Sequence, residues 1–276
     1  AIKDVRGVSA YAPALDDVTK ENLRRWLRAE TRSRKTVERA LSFTRTYWHY
    51  LQDIGIAPDE SYPFTDIKLP DTLQNPIDSR KPFEQHDLAT LLEGIADDTA
   101  VYNTAVIALY TGARIAEVMA LRGSSYVIKD DHKCLYIAGT KTKAADRHVP
   151  VHPALAVFIQ NLLPTNADEW LIAGVRSKGG PDRRADVLGK RFGRLKTKLG
   201  FPPTKVFHSL RKTFITMCEQ AEAPEGVVAD IVGHEKQTMT YGLYSGGSSI
   251  KQRARVINSL SFGTIDIALK TARVSA

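Results

Sequence analysis

The residues able to do chemistry in this 276-residue chain fall in four short stretches. Residues 232–247, VGHEKQTMTYGLYSGG, carry His234, Tyr241 and Tyr244 between glycine-containing ends. Glycine accepts backbone conformations that other residues avoid, so such ends suit a segment that delivers a tyrosine into a site. By itself the segment also reads as a surface loop with two half-packed tyrosines. His208 and Arg211, in HSLRKTF, stand three residues apart and share a helix face. A histidine and an arginine pointing one way at a helix start suit a phosphate oxygen and its proton traffic, although an ordinary helix rim has the same spacing. Arg114 follows Thr111–Gly112 in the first turn of another helix, where the dipole prefers an anion. A guanidinium beside helix amides makes an anion site, and Glu117 three residues on is placed to orient it. Lys141 and Lys143 sit in GTKTKAAD, a polar turn whose lysines are solvated by default.

These groups need a frame. Helical periodicity runs through residues 84–95, with Leu88, Leu91 and Leu92 inward, through the more apolar 99–110, and through 113–122, with Ile115, Val118, Met119 and Leu121 inward. Residues 133–138 and 147–151 read as two strands joined through the lysine turn. Residues 183–198 form a basic helix with Leu188, Phe192 and Leu195 as its apolar edge. Residues 208–218 form another, with Leu210, Phe214, Met217 and Cys218 as the core arc. Upstream, residues 14–30 read as a helix capped by Asp16 or Asp17, and 34–52 as a second begun at Thr31 or Ser33. Pro58, Pro63, Pro70, Pro76 and Pro82 then break every periodic run, as in a semi-rigid linker.

The formal charge of +8 favours a polyanionic partner. Residues 20–50 hold nine Lys or Arg against three acids, and Arg32, Arg34 and Lys35 sit between two helices where phosphate contacts form. Lys190, Arg191 and Arg194 make a second basic face. A solvated surface is the plainer account of both. Cys134 and Cys218 belong to no CxxC pair, which argues against a disulfide framework or zinc site and for a reducing, cytoplasmic setting. No apolar run has the ~20 residues needed to cross a bilayer. There is no P-loop and no metal-ligand spacing. The chain begins without Met, as a processed or truncated piece would.

Taken in order, TGARIAEVMAL around Arg114, GTKTKAADRHVP around Lys141, HSLRKTF, and VGHEKQTMTYGLYS resemble the tyrosine recombinases of the phage-integrase family. The resemblance spans about residues 80–250, and the helical part before it is similar to the family's core-binding domain. It implies a mixed, mostly α fold. A helical core-binding domain would occupy residues 1–56 and a linker 57–82. An α+β catalytic domain with a small antiparallel sheet would occupy 83–276, with 248–276 as a tail packed on a neighbouring protomer or on itself. It also implies a site. Arg114 and Arg211 would neutralise the non-bridging oxygens of a DNA phosphate, His208 and His234 would hydrogen-bond it, and Lys141 would protonate the leaving 5′-hydroxyl. A tyrosine would form a 3′-phosphotyrosyl link, with no metal or nucleotide cofactor. The family's tyrosine most often falls where Leu243 stands here. Tyr244 is the nearer candidate, Tyr241 the other, and Lys143 stays open beside Lys141. The implied activity is site-specific recombination by a homotetramer on two double-stranded DNA sites, acting near the nucleoid of a bacterial cell or phage-infected host. An arm-binding domain often precedes such a chain in phage integrases. Two other outcomes are a type IB topoisomerase-like relaxing enzyme and a non-catalytic DNA-binding protein of the same fold.

Overall fold

The computed structural model describes residues 14–73, 80–139, 146–177, 179–234 and 246–271. The chain divides into two compact units, Ala1–Ser79 and Arg80–Ala276.

The first unit is built on α1 (Lys20–Ala29) and α2 (Arg34–Asp53). The apolar stripes expected from sequence close on each other. Leu23, Trp26 and Leu27 share one core with Val37, Ala40, Leu41, Trp48 and Leu51. The start of α1 differs from expectation. Thr19 caps it, its hydroxyl accepting the Asn22 N–H at 3.2 Å. Asp17 instead closes the preceding turn by accepting the Ala14 N–H at 3.1 Å. The stretch read as a linker from residue 57 is also packed. Ala57, Phe64, Ile67 and Leu73 belong to the same core, and Trp48 Nε1 donates to the Ser61 carbonyl at 2.9 Å. Proline forbids helix continuation but leaves single apolar anchors free to bury.

The second unit begins with α3 (Gln85–Gly94), α4 (Thr99–Thr111) and α5 (Ile115–Met119). α4 is apolar all round and buried on nearly every face, so it serves as the spine of this unit. A 3₁₀ turn at Gly123–Ser125 leads into β1 (Tyr126–Lys129), β2 (His132–Ile137) and β3 (Arg147–Pro150). They form an antiparallel sheet in that order, with Leu135 opposite Val149 and Ile137 opposite Arg147. β1 escaped the sequence reading because it is a four-residue edge strand with Ile128 in solvent.

α6 (Pro153–Leu162) follows, begun by Pro153 and capped by His152, whose Nδ1 accepts the Ala154 N–H at 3.1 Å. Next come α7 (Pro181–Lys198), α8 (Phe207–Gln220) and the short α9 (Glu225–Val232). The tail forms α10 (Ile250–Ser259), packed on β3 and α9, and α11 (Thr264–Thr271), packed on α6. The described part of the tail thus packs against β3, α9 and α6 of its own chain. The fold is mostly helical with one small antiparallel sheet.

The tail is fastened by polar groups at the buried end of α4. Tyr110 Oη donates to Asp266 Oδ1 at 2.5 Å, and the other Asp266 oxygen accepts the Phe262 N–H at 2.8 Å. The Tyr110 and Phe262 rings lie 4.1 Å apart. Tyr110→Phe removes one donor to a carboxylate and is expected to cost about 1–3 kcal/mol. Urea melts of the two proteins check this as a lower midpoint at unchanged slope.

Candidate active site

The chemically competent residues of the second unit meet where three elements touch at Gly112. This residue ends α4 in the left-handed region (φ 65°). A Cβ there would stand 2.7 Å from Phe214 Cδ1 on α8 and 2.8 Å from Val232 Cγ1 on α9, so only glycine lets the three approach. The Gly112 carbonyl accepts Arg211 Nη1 at 2.7 Å.

Two residues later Arg114 is the N-cap of α5, not a member of its first turn as its spacing had indicated. Its extended backbone sends the side chain out of the helix, where it is 41% exposed. Glu117 then works on it twice. One carboxylate oxygen accepts the Arg114 backbone N–H at 2.7 Å, and the other accepts Arg114 Nη1 at 2.8 Å.

Glu117 itself is 1% exposed, and a carboxylate so buried needs more than one partner. The second is Arg147, on the inward side of β3 and 4% exposed. Arg147 Nη2 donates to Glu117 Oε2 at 2.8 Å and Nη1 reaches Oε1 at 3.4 Å. Burial alone would raise the Glu117 pKa, but Arg147 and then Arg114 hold it below the ordinary value. The Arg147 Nε also donates to the Ile231 carbonyl at 2.7 Å near the end of α9. Gly233 caps that end with φ 69°, and a Cβ on it would lie 2.8 Å from Arg147 Nη1. His234 follows at once, its N–H donating to the Ala229 carbonyl at 2.9 Å. Sequence reasoning passed over Arg147. The available signal was alternation: with Val149 inward, Arg147 two residues earlier must also point inward.

Arg211 is 1% exposed, and among the described residues its Nη2 has no hydrogen-bond partner. Burial and the nearby Arg114 and Arg147 push its pKa down to about 9, which leaves it cationic at neutral pH. His208, half-buried in the first turn of α8, has its pKa lowered by burial and then by Arg211, Arg80, Arg114 and Lys212. His234 is exposed at the rim, and partial burial, Arg211, Arg114 and Arg147 lower its pKa too. The structure thus gathers Arg114, Glu117, His208, Arg211 and His234, with Arg147 beneath them. Lys141, Lys143, Tyr241 and Tyr244 lie outside the described residues. The base of the lysine-bearing hairpin is pinned by Asp146, which accepts the Gly139 N–H at 2.7 Å and Tyr136 Oη at 3.0 Å.

Residues 81–247 match the model of the phage integrase family. The chain belongs to the phage integrase family. Its enzymatic class is that of the tyrosine site-specific recombinases. It is similar to the tyrosine recombinase XerC of Methylobacterium nodulans, at 26% identity over 246 residues covering 85% of this chain and 74% of that protein. Its fold is similar to that of the Tn1549 transposon integrase in complex with a circular intermediate DNA. The TM-score is 0.61 at 24% identity, over 87% of this chain and 85% of that one. It is also similar to a lambda integrase tetramer bound to a Holliday junction, with a TM-score of 0.67 at 15% identity, over 86% and 70%.

The peripheral basic residues divide. In the first unit Arg32 pairs with Glu30, Arg34 lies 3.3 Å from Glu38, and Lys35 is exposed. In the second, Lys190 and Arg194 are exposed on α7. Arg191 departs from the expected basic face. Its Nε donates to Asp98 at 2.8 Å and so ties α7 to the N-cap of α4. Among the described residues no group of three His, Cys, Asp or Glu is placed to hold a metal ion, and no helix is long and apolar enough to cross a membrane.

Glu117→Ala removes the carboxylate that the buried Arg147 guanidinium donates to and is expected to destabilise the second unit by about 3–5 kcal/mol. Thermal melts of the variant and the parent check this, and Glu117→Gln should recover part of the loss. The pH dependence follows from the histidines. His152, His208 and His234 all titrate below their ordinary value in the folded state, burial being the first cause for each. Between those lowered values and about 6.5, the unfolded chain binds more protons, so stability rises with pH. It is fully present above about pH 6.5 and is lost as pH falls through the lowered values. Melting temperature should therefore drop between pH 7 and 5. His152→Asn, which keeps an N-cap acceptor, should flatten part of the curve.

Proposed function

We propose that this recombinase cuts and rejoins DNA through a covalent 3′-phosphotyrosine intermediate, with Tyr244 as nucleophile. The observation that carries the reading is the buried Arg211 guanidinium, whose Nη2 has no hydrogen-bond partner among the described residues, set beside Arg114 and two histidines of lowered pKa. A buried donor with no partner is costly, and a phosphate oxygen supplies what it lacks. Arg114 and Arg211 bind the two non-bridging oxygens and neutralise the charge that grows on them as the tyrosine attacks. His208 and His234, neutral near pH 7, hydrogen-bond the phosphate, and His208 exchanges the nucleophile's proton. Lys141 protonates the departing 5′-hydroxyl. The phosphotyrosyl ester retains the bond energy, and rejoining is the same path reversed with a different 5′-hydroxyl. Phosphate charge is handled by side chains alone, and no metal or nucleotide cofactor takes part.

The enzyme acts on double-stranded recombination sites as a homotetramer, on the nucleoid of a bacterial cell or phage-infected host. The phage and transposon integrases of like fold, one of them a tetramer on a Holliday junction, support that setting. The first unit serves as the core-binding domain and the second as the catalytic domain. Arg32, Arg34, Lys35, Lys190 and Arg194 contact the DNA backbone.

The test is a nicked duplex carrying the enzyme's site, which traps the cut state because the short 5′ fragment diffuses away. The parent should form a protein–DNA adduct that survives denaturation, and Tyr244→Phe should not. An adduct that persists in Tyr244→Phe and vanishes in Tyr241→Phe moves the nucleophile to Tyr241. Arg211→Lys, which loses the planar fork, should slow adduct formation by about 100-fold or more. Relaxation of supercoiled plasmid without sequence preference would instead point to a topoisomerase.

A further inference from the structure

The second unit opens at Arg80 with a short strap, residues 80–83, fastened to α8 at both ends. The Arg80 carbonyl accepts a hydrogen bond from Lys212 Nζ. The Lys81 N–H donates to the Thr204 carbonyl at 3.1 Å, just ahead of that helix. At Phe83 the buried Thr213 hydroxyl accepts the backbone N–H at 2.8 Å and stands 3.0 Å from the carbonyl, within donating reach. The Phe83 ring is buried and meets the Phe201 ring edge-on at 5.5 Å. Arg80 is thus held three residues from an aromatic anchor, with its own side chain exposed.

The helix under this strap is the one that carries His208 and Arg211. Lys212 stands four residues after His208, so the two are neighbours on the helix surface, with Cβ atoms about 5–6 Å apart. Arg80, bonded to Lys212, therefore comes to the edge of the phosphate-directed cluster. Its charge is felt there: after burial and Arg211, Arg80 lowers the His208 pKa more than Arg114 does. Nearby cations with a structural task have carboxylates, Lys205 with Asp87 and Arg114 with Glu117. Among the described residues neither Arg80 nor Lys212 is paired with a carboxylate, and no hydrogen bond uses the Arg80 guanidinium. Lys212 spends one ammonium proton on the strap and keeps two. Two adjacent cations with unused donors and no acid between them call for an anion.

We infer that Arg80 and Lys212 bind a second DNA phosphate, one that flanks the phosphate being cut. The inference rests on the reading above, in which His208 and Arg211 face the scissile phosphate. Lys212 follows Arg211 by one residue, about 100° round the helix, so it diverges from the group that Arg211 faces. The flanking phosphate neutralises two like charges at once and takes up their unused donors. Because the strap is bonded to α8, both phosphates are gripped from one helix, and the strand is presented to His208 and Arg211 in a fixed register. Arg80 and Lys212 touch no reacting atom; they are positioning residues.

Equilibrium binding to an intact duplex carrying the enzyme's site, followed by fluorescence anisotropy between about 50 and 200 mM salt, tests this. Arg80→Ala should weaken binding by about 10-fold at the low-salt end. It should also lower the slope of log affinity against log salt by about one. Arg80→Lys keeps the charge and should keep the slope. Only the Arg80 backbone is bonded to the fold, so Arg80→Ala should melt with the parent. A neutral methylphosphonate, placed at each flanking phosphate in turn, locates the contact. At one position the parent should lose about 10-fold, whereas Arg80→Ala and Lys212→Ala should each lose less than about twofold, because the contact is already gone. Losses that add at every flanking position overturn the site, as does an unchanged salt slope in Arg80→Ala. Binding is read without cleavage, so a parent that forms no adduct sinks the tyrosine chemistry and leaves this result standing.

Discussion

One buried carboxylate organises this candidate site. Glu117 is held between Arg114 and Arg147, and its charge is tolerable in the interior only because both guanidiniums reach it. Each contact does a separate job. The Arg114 contact fixes a guanidinium at the rim, directed toward solvent. The Arg147 contact ties β3 to the start of α5, and through the Ile231 carbonyl to the end of α9. Two guanidiniums thus share one carboxylate, and a third, Arg211, is steadied by a backbone carbonyl instead. The surplus is positive, buried on one side and open on the other, which is the electrostatic form of an oxyanion site. The neighbouring histidines follow from it. They are surrounded by cations and partly desolvated, so they stay neutral where an isolated histidine would begin to take up a proton.

The geometry that permits this is set by close backbone approach. α4 runs through the core almost without a polar face and ends at a glycine pressed against Phe214 and Val232. α9 ends at a second glycine pressed against Arg147. Helix ends release their side chains into a common space while their bodies stay packed, so function sits at termini and stability in the middles. α7 and α4 are joined by the same kind of device, a capping aspartate that also receives Arg191.

Much of this was legible in the residues. The stripes of α1, α2, α3 and α8 lay where periodicity put them, because 3.6-residue spacing reports a buried face directly. The Arg114–Glu117 and His208–Arg211 spacings were legible for the same reason. Other features resisted. The proline-containing stretch after residue 57 looked like a linker, since proline excludes helix, yet its isolated apolar residues fill the first core. Arg191 looked like one more cation on a basic face, since nothing local reveals that Asp98 will stand opposite it. α5 looked longer than five residues because the apolar pattern continues past its last turn.

The sequence by itself determined which groups would be present, in what order, and on which face of which helix, together with the family to which those groups belong. Tertiary structure alone decided which charges would neutralise one another. Arg147 meets Glu117 across 30 residues, Arg191 meets Asp98 across 93, and Ser248 meets Asp230 across 18. The reason is range. Local periodicity governs neighbours three or four residues apart, whereas a buried charge is stabilised by whichever opposite charge packing brings within reach.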